Sequence, residues 1–286
     1  METSADEVRE TFLVTPEAEV AYYGWENDTR RAEVVRKMRD HTTRAIYDCR
    51  LEHFEWIKKN HTHPLGKINK EKIEHITLAR DWYPRFAFVH LFHVLLEKLG
   101  RLPLWDEVNK FITNDPEGMR MLGAERTELK DRIFPGELET VIAKYPGCKD
   151  PENRANALAE ASLNWRIGNA YYGFMREMYT VVALRALEVP VKVHPLADAN
   201  FRTDGWVDEK ILSVFVTNPT YKVAEEEERA MRHHQGRKKK VDKLFPNSEF
   251  SFVELTMERA DHFGVFHFPK EAEIKRVSEL LKGGGC

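Results

Sequence analysis

The fold is decided by two neighbouring stretches, Phe201-Arg202-Thr203-Asp204-Gly205-Trp206-Val207 and Ile211-Leu212-Ser213-Val214-Phe215-Val216-Thr217. Both are short and rich in β-branched and aromatic residues, and the polar triplet Asp208-Glu209-Lys210 separates them, a composition typical of strands joined by a turn. With a similar stretch at Val191–His194, they predict a small three-strand meander. By the period of two, Asp204 shares one strand face with Arg202 and Trp206.

Hydrophobic periodicity predicts the elements on either side of the meander. A long helix from Ala155 to Leu187 precedes it, and a helix from Val223 to Lys243 follows it. Strands at Phe250–Leu255 and Gly264–Phe268 and a closing helix at Lys270–Lys282 complete the pattern. The second half of the chain is therefore predicted to be mixed α/β.

The first half shows helical patterns. Residues 1 to 28 indicate a loosely packed lead-in, and one helix is predicted from Arg30 to Asn60, with Cys49 as a small core residue on its inward stripe. Further helices are predicted at 69–81, at 85–99 up to Gly100, and through Trp105. Two helices joined by a glycine turn are compatible with a DNA-binding helix-turn-helix motif and equally with any helical bundle.

Turn signals between residues 114 and 153 place a domain boundary near Cys148. The expected fold class is α+β: a mainly helical region, 1–148, as candidate DNA-recognition region, and an α/β core, 149–286, with a small central mixed sheet. At 286 residues the chain is long enough for two such domains.

Composition limits the function classes. The net charge is −3, so any nucleic-acid surface has to come from a local basic patch. Three separated cysteines without a CxxC pair disfavour a disulfide framework or a thiolate zinc cluster, and a cytoplasmic location is expected. No membrane span is expected. GxxxxGK[ST], GxGxxG after a strand, GxSxG and HExxH are not found, so no nucleotide cofactor is expected.

Glu177 interrupts the apolar stripe of the long helix, which consists of Ala170, Phe174, Val181 and Leu184 at heptad spacing. An ionised carboxylate facing a core needs an ion-pair partner or a cation. A salt bridge with Arg154, Arg185 or Lys192 would satisfy Glu177. Alternatively, Glu177 and Asp204 together would hold Mg²⁺ through oxygen ligands.

The order helix, three-strand meander, helix, strand, with Asp204 and Glu177, resembles the core of the PD-(D/E)XK nuclease superfamily, which includes many type II restriction endonucleases. The resemblance covers roughly residues 155 to 256. It implies a restriction-endonuclease-like fold, Mg²⁺ held by Asp204 and Glu177, and hydrolysis of DNA phosphodiesters. Restriction-type cleavage of duplex DNA by a homodimer is the most concrete form of this expectation.

The third strand departs from that family, which places an acidic residue and a lysine there two positions apart. Lys222, just beyond the strand, is the first choice for the missing lysine. Asp198, Asp208 and Lys210 form the second-choice catalytic set, although a polar triplet between two strands is more often a hairpin turn. Predicted DNA contacts are Arg202 and the run Arg237, Lys238, Lys239 and Lys240.

Two other readings remain open. The missing third-strand acid and lysine favour a catalytically silent nuclease fold that binds DNA or protein. His90, His93 and Glu97, on one helix face, favour a helical metal-binding hydrolase, although a solvated or inter-helix face explains the same spacing.

Overall fold

A computed structural model describes residues 2–29, 32–61, 88–122, 139, 142–143, 146–147, 149–217, 238–246, 250–258 and 266–283; the side chains of residues 156, 158–163, 217 and 258 are not included. The helices are α1 Ala5–Phe12, α2 Pro16–Glu26, α3 Ala32–Arg39, α4 Ala45–Asp48, α5 Leu51–Asn60, α6 Phe88–Leu99, α7 Trp105–Asn114, α8 Pro116–Leu122, α9 Pro151–Ala186, α10 Pro195–Phe201 and α11 Glu271–Lys282. The strands are β1 Thr3–Ser4, β2 Thr42–Thr43, β3 Gly205–Val207, β4 Lys210–Thr217 and β5 Ser251–Glu258, and residues 238–244 are also helical. The chain is thus a mixture of helices and small sheets, as predicted.

The chain forms two compact units, neither of which is one continuous stretch. The first comprises Met1–Lys59, Leu96–Leu102 and Met175–Cys286, and the second comprises Asn60–Leu95 and Pro103–Phe174. The first unit therefore draws on both the predicted helical region and the predicted α/β core.

The larger sheet lies in the first unit and has the strand order β3-β4-β5 among the described residues. β3 and β4 are antiparallel, with Val207 opposite Lys210, whereas β4 and β5 are parallel, with Ser213 opposite Glu254. A parallel pair needs a crossover connection, and helical residues 238–244 lie in the chain between β4 and β5. The sheet is therefore mixed, as predicted.

The meander is less regular than predicted. Val191–His194 contributes one isolated bridge, Lys192 to Trp206, instead of a strand. Phe201 ends helix α10, and β3 begins only at Gly205. Residues 266–268, placed in a further strand by the sequence, have no strand structure, and residues 264–265 lie outside the described part. The aromatic and β-branched residues at these places pack into the core without joining the sheet.

The predicted lead-in is a packed part of the first unit. Phe12 at the end of α1 is 0% exposed, stacks on Phe201 with ring centroids 4.7 Å apart, and meets Trp206 edge-on at 5.3 Å. β1 pairs with β2, where Thr3 lies opposite Thr43. The expectation of loose packing was wrong, because these aromatic contacts join residues distant in sequence.

The predicted single helix from Arg30 to Asn60 was also wrong. The structure has α3, α4 and α5 there, separated by strand β2 and by Cys49 and Arg50. The β-branched pair Thr42-Thr43 finds a strand partner in β1, which competes with helix continuation. Cys49 is a core residue, as predicted, and its burial raises the pKa of the thiol to about 11.

In the second unit, Tyr171 of α9 is 0% exposed and its hydroxyl donates to the Pro103 carbonyl at 2.8 Å. Trp105 and Phe92 pack against the same ring. The predicted helix at 69–81 lies outside the described residues. Among the helices of the described part, none combines the length and the apolar character that crossing a membrane requires.

Candidate functional site

Asp204 is the best-defined acidic residue of the first unit's sheet. It directly precedes β3, and its side chain is buried, with the residue 8% exposed. Its Oδ2 accepts hydrogen bonds from the backbone N–H of Val214 at 2.7 Å and from the Ser213 hydroxyl at 3.4 Å. Its own N–H donates to the Leu212 carbonyl at 3.0 Å. The carboxylate is therefore fixed against the middle of strand β4.

Local sequence explains this placement. The Thr203 hydroxyl donates to the Leu212 carbonyl at 3.4 Å and accepts from the Gly205 N–H at 3.2 Å, so the chain turns tightly before the strand. At Gly205 a Cβ would lie 2.9 Å from Val191 Cγ1 and 3.1 Å from the Lys192 carbonyl oxygen. Only glycine fits that approach, which lets the start of β3 pack closely against residues 191–193.

A second carboxylate lies on the other side of Ser213. Glu254 of β5 is in register with Ser213, and paired residues on neighbouring strands project from the same face of a sheet. Glu254 is half-buried, and its Oε1 accepts from the Thr256 hydroxyl at 2.6 Å. We call Asp204, Ser213 and Glu254 the Ser213 row.

The Ser213 row presents oxygen donors only. Neighbouring strands of a sheet lie about 4.8 Å apart. Asp204 and Glu254 therefore lie on opposite sides of Ser213, each about one strand spacing away from it. This donor set suits Mg²⁺, which proteins bind through one or two carboxylates while water and substrate phosphate complete the coordination. Within the described ranges, no group of three or more His, Cys, Asp or Glu side chains is placed to hold a metal ion. A cation at the row would therefore depend on further ligands.

Glu177, the other predicted ligand, lies half-buried on α9 in the first unit. The apolar stripe around it is buried at three of its four predicted positions: Phe174 and Val181 are each 1% exposed and Leu184 is 0% exposed, whereas Ala170 is half-buried. Arg185, one proposed ion-pair partner, donates instead to the Val191 carbonyl at 2.8 Å and lies over the Tyr47 ring at 3.7 Å. That Glu177 and Asp204 share a cation stays a prediction.

The predicted strand face carrying Arg202, Asp204 and Trp206 was wrong for Arg202, which lies outside the strand. Arg202 is the exposed C-terminal cap of α10, whereas Trp206 is 1% exposed and belongs to the core. His194 caps the start of α10, since its Nδ1 accepts from the Leu196 N–H at 3.1 Å, and Pro195 occupies the first helical turn. These start signals override the strand propensity of the residues that follow.

The second-choice set has two members in or beside the hairpin turn and one on α10. Asp208 occupies the predicted hairpin turn, is exposed and has a φ of 47°. The Nζ of Lys210 donates to the Leu280 and Leu281 carbonyls at 2.9 and 3.0 Å, which caps the C-terminal end of α11. Asp198 is half-buried on α10. Lys210 therefore has a structural role.

The predicted lysine, Lys222, and Arg237 lie outside the described residues. Lys238 and Lys239 are exposed and Lys240 is half-buried, all in helical residues 238–244. Exposed ammonium groups at that place are compatible with the predicted phosphate contacts.

The helical histidines of the predicted hydrolase site are buried, and its carboxylate has a structural role. His90 and His93 are 5% and 4% exposed, and the His93 ring lies edge-on to Phe174 at 5.2 Å. The Glu97 carboxylate accepts from the Ala45 N–H at 2.8 and 3.0 Å, and burial raises its pKa. Glu97 therefore caps the start of α4.

Glu254 and Ser213 are the site residues that the sequence did not reveal. Strand β5 was predicted, but nothing in the sequence specifies which β4 residue lies opposite Glu254. A parallel register is set only when the crossover packs. Comparison with known proteins adds no assignment: no family model, no curated protein and no solved structure matches the chain.

Proposed function

We propose that this protein is a Mg²⁺-dependent nuclease that hydrolyses DNA phosphodiesters, in its most concrete form a homodimeric restriction-type endonuclease cutting duplex DNA. The chain order of α9, the Lys192 bridge, α10, β3, β4, helical residues 238–244 and β5 supports this proposal. Apart from α10 and the single bridge in place of a first strand, it follows the order on which the resemblance to the PD-(D/E)XK superfamily rests.

The observation that carries the proposal is the Ser213 row. Asp204 and Glu254 would hold Mg²⁺, with Glu177 as the predicted additional ligand. When bound, Mg²⁺ polarises a phosphoryl oxygen and lowers the pKa of a coordinated water. The chain's contribution is placement: the bond from the Val214 N–H to Asp204 keeps that carboxylate beside Ser213 before any substrate arrives. Lys222 remains the proposed residue for orienting the attacking water.

The test compares cleavage by Asp204→Asn, Glu254→Gln and a control, Glu209→Gln, which changes an exposed acid in the hairpin turn. With Mg²⁺ and a mixed panel of plasmid and phage DNA, the first two variants are expected to lose about a hundredfold or more in cleavage rate. The control should cut like the wild type. The double variant should be scarcely slower than either single one, because ligands of one metal act as a unit.

Circular dichroism spectra confirm that each variant is folded. If Asp204→Asn cuts as fast as the wild type, the site lies elsewhere. If the wild type shows no chelator-sensitive cutting on the whole panel, the catalytic proposal is wrong.

A catalytically silent DNA-binding or interaction protein is the second candidate, and Ser213 favours it. This residue meets Asp204 at the place on the third strand where an acidic residue would be expected, and Phe215 stands two positions on, where the lysine would be. Such a protein would shift the mobility of duplex DNA without cutting it.

A further inference from the structure

Arg202 has an unusual backbone for an arginine. It ends α10 with φ 59° and ψ 37°, in the left-handed region, and its N–H donates to the Asp198 carbonyl at 3.1 Å. Glycine and asparagine adopt this conformation at helix ends far more readily than residues with long side chains. The backbone therefore gives no reason for an arginine at this position.

The Arg202 side chain also has no structural task in the described part of the chain. It is exposed, and its guanidinium forms no hydrogen bond, ion pair or ring contact there. As far as the structure describes the chain, the guanidinium of Arg202 is therefore accessible to an external partner. Arg36, Arg44 and Arg50 of the first unit are likewise exposed, so what distinguishes Arg202 is its place two residues before Asp204.

The base of this side chain is held beside the Ser213 row. Arg202 is followed by Thr203 and Asp204, and both of these residues hydrogen-bond the Leu212 carbonyl. A cation two residues from a buried carboxylate is suited to a ligand that carries negative charge. The planar guanidinium binds two phosphate oxygens at once, which an ammonium group does not do.

We propose that Arg202 binds a backbone phosphate of the nucleic acid at the Ser213 row and positions the neighbouring phosphodiester against Asp204. This inference rests on the proposed nuclease function and deepens it. Arg202 is a positioning residue, and its left-handed backbone is tolerated for the sake of the side chain. The same change that relieves the backbone strain, Arg202→Gly, should therefore weaken DNA binding.

Two further non-glycine residues of the described chain have left-handed backbones, and they supply matched controls. Glu188 and Asp208 have φ values of 60° and 47°, and both are exposed acids. Glu188→Gly relieves the same kind of strain without removing a cation. It should raise or preserve the unfolding midpoint and leave DNA binding unchanged.

The experiment measures binding of a fluorescent mixed-sequence DNA duplex, with Ca²⁺ in place of Mg²⁺, over a range of salt concentrations. Arg202→Gly should bind about tenfold more weakly. The slope of log K against log salt should fall by about one, the share of one phosphate contact. Its midpoint in urea should be unchanged or higher. Arg202→Lys should recover the slope but only part of the affinity, because the charge remains and the two-point contact is lost.

Equal affinity and equal salt slope for Arg202→Gly and the wild type would overturn the proposal and leave Arg202 as the cap of α10. The nuclease function would still stand in that case, provided that the wild type cuts DNA and Asp204→Asn does not. A wild type that neither binds nor cuts the duplex would overturn both proposals.

Discussion

At the scale of single residues, Asp204 shows how one side chain can organise a strand and a candidate site together. The pairing of β3 with β4 ends at Gly205 and Leu212. Beyond that pair, the Asp204 Oδ2 accepts the hydrogen bond from the Val214 N–H in place of a backbone carbonyl. A buried carboxylate is tolerated where N–H and O–H donors satisfy it. Asparagine keeps the acceptor and removes the charge, which makes Asp204→Asn the informative change.

His61 gives a residue-scale prediction about pH. Its Nε2 lies 2.6 Å from the Tyr172 hydroxyl, and burial lowers the pKa of His61, with the charge of Asp106 opposing. Burial raises the pKa of Tyr172, so its phenol stays protonated and can share this hydrogen bond with the neutral imidazole. Since the folded pKa lies below the ordinary value of 6.5, the unfolded chain takes up the proton first.

The stabilising contribution of His61 is therefore complete above pH 6.5 and is lost as the pH falls through the lowered folded value. His61→Gln should remove this part of the pH dependence. Urea unfolding of both proteins at a series of pH values between neutral and about pH 5 measures it. Parallel curves for the two proteins would contradict the prediction.

At the scale of elements, Lys210 links the sheet to the closing helix. Lys210→Met removes both hydrogen bonds to the last carbonyls of α11 but keeps the length of the side chain. We expect a loss of about 1 kcal/mol in the free energy of unfolding. Lys243→Met, at an exposed position of helical residues 238–244, is the control and should change stability by less than about 0.5 kcal/mol.

DNA cleavage by Lys210→Met separates the two candidate sets. An unchanged rate agrees with the structural role of this lysine. A loss of cleavage that exceeds the loss of folded protein would return Lys210 to the catalytic site.

At the scale of the whole molecule, the first unit is closed by its own N-terminal segment. Phe12 stacks on Phe201 and on Phe250, the latter at 5.5 Å, and the Thr15 hydroxyl donates to the Leu244 carbonyl at 2.5 Å. Phe12→Ala should cost about 3–5 kcal/mol in the free energy of unfolding, because a buried ring leaves a cavity. Val20→Ala, at a side chain that is 74% exposed, should be nearly neutral.

Thermal or urea unfolding decides between a structural and a dispensable N-terminal segment. A loss below about 1 kcal/mol for Phe12→Ala would show that this segment is the loosely packed lead-in that its sequence suggests.

The sequence by itself determined the elements whose signals are local. The apolar stripe of α9, the β-branched run of β4, the closing helix α11 and the turn at Asp208 were predicted from patterns within each segment. Apolar periodicity and turn composition act over a few residues, so they are visible without the fold. Asp204 was singled out as a carboxylate on a predicted strand, and the resemblance to the PD-(D/E)XK superfamily implied its metal-binding role.

Only the tertiary structure decided which residues of these elements contact one another. Contacts between residues distant in sequence decide the pairing of Ser213 with Glu254 and the packing of Phe12 on the sheet. Helix capping that overrides strand propensity decides the position of Arg202 at the end of α10. Register and long-range packing are set by the free energy of the whole assembly and leave no periodic trace in any one segment. For that reason the sequence could single out Asp204 but could not show that Glu254 lies opposite Ser213.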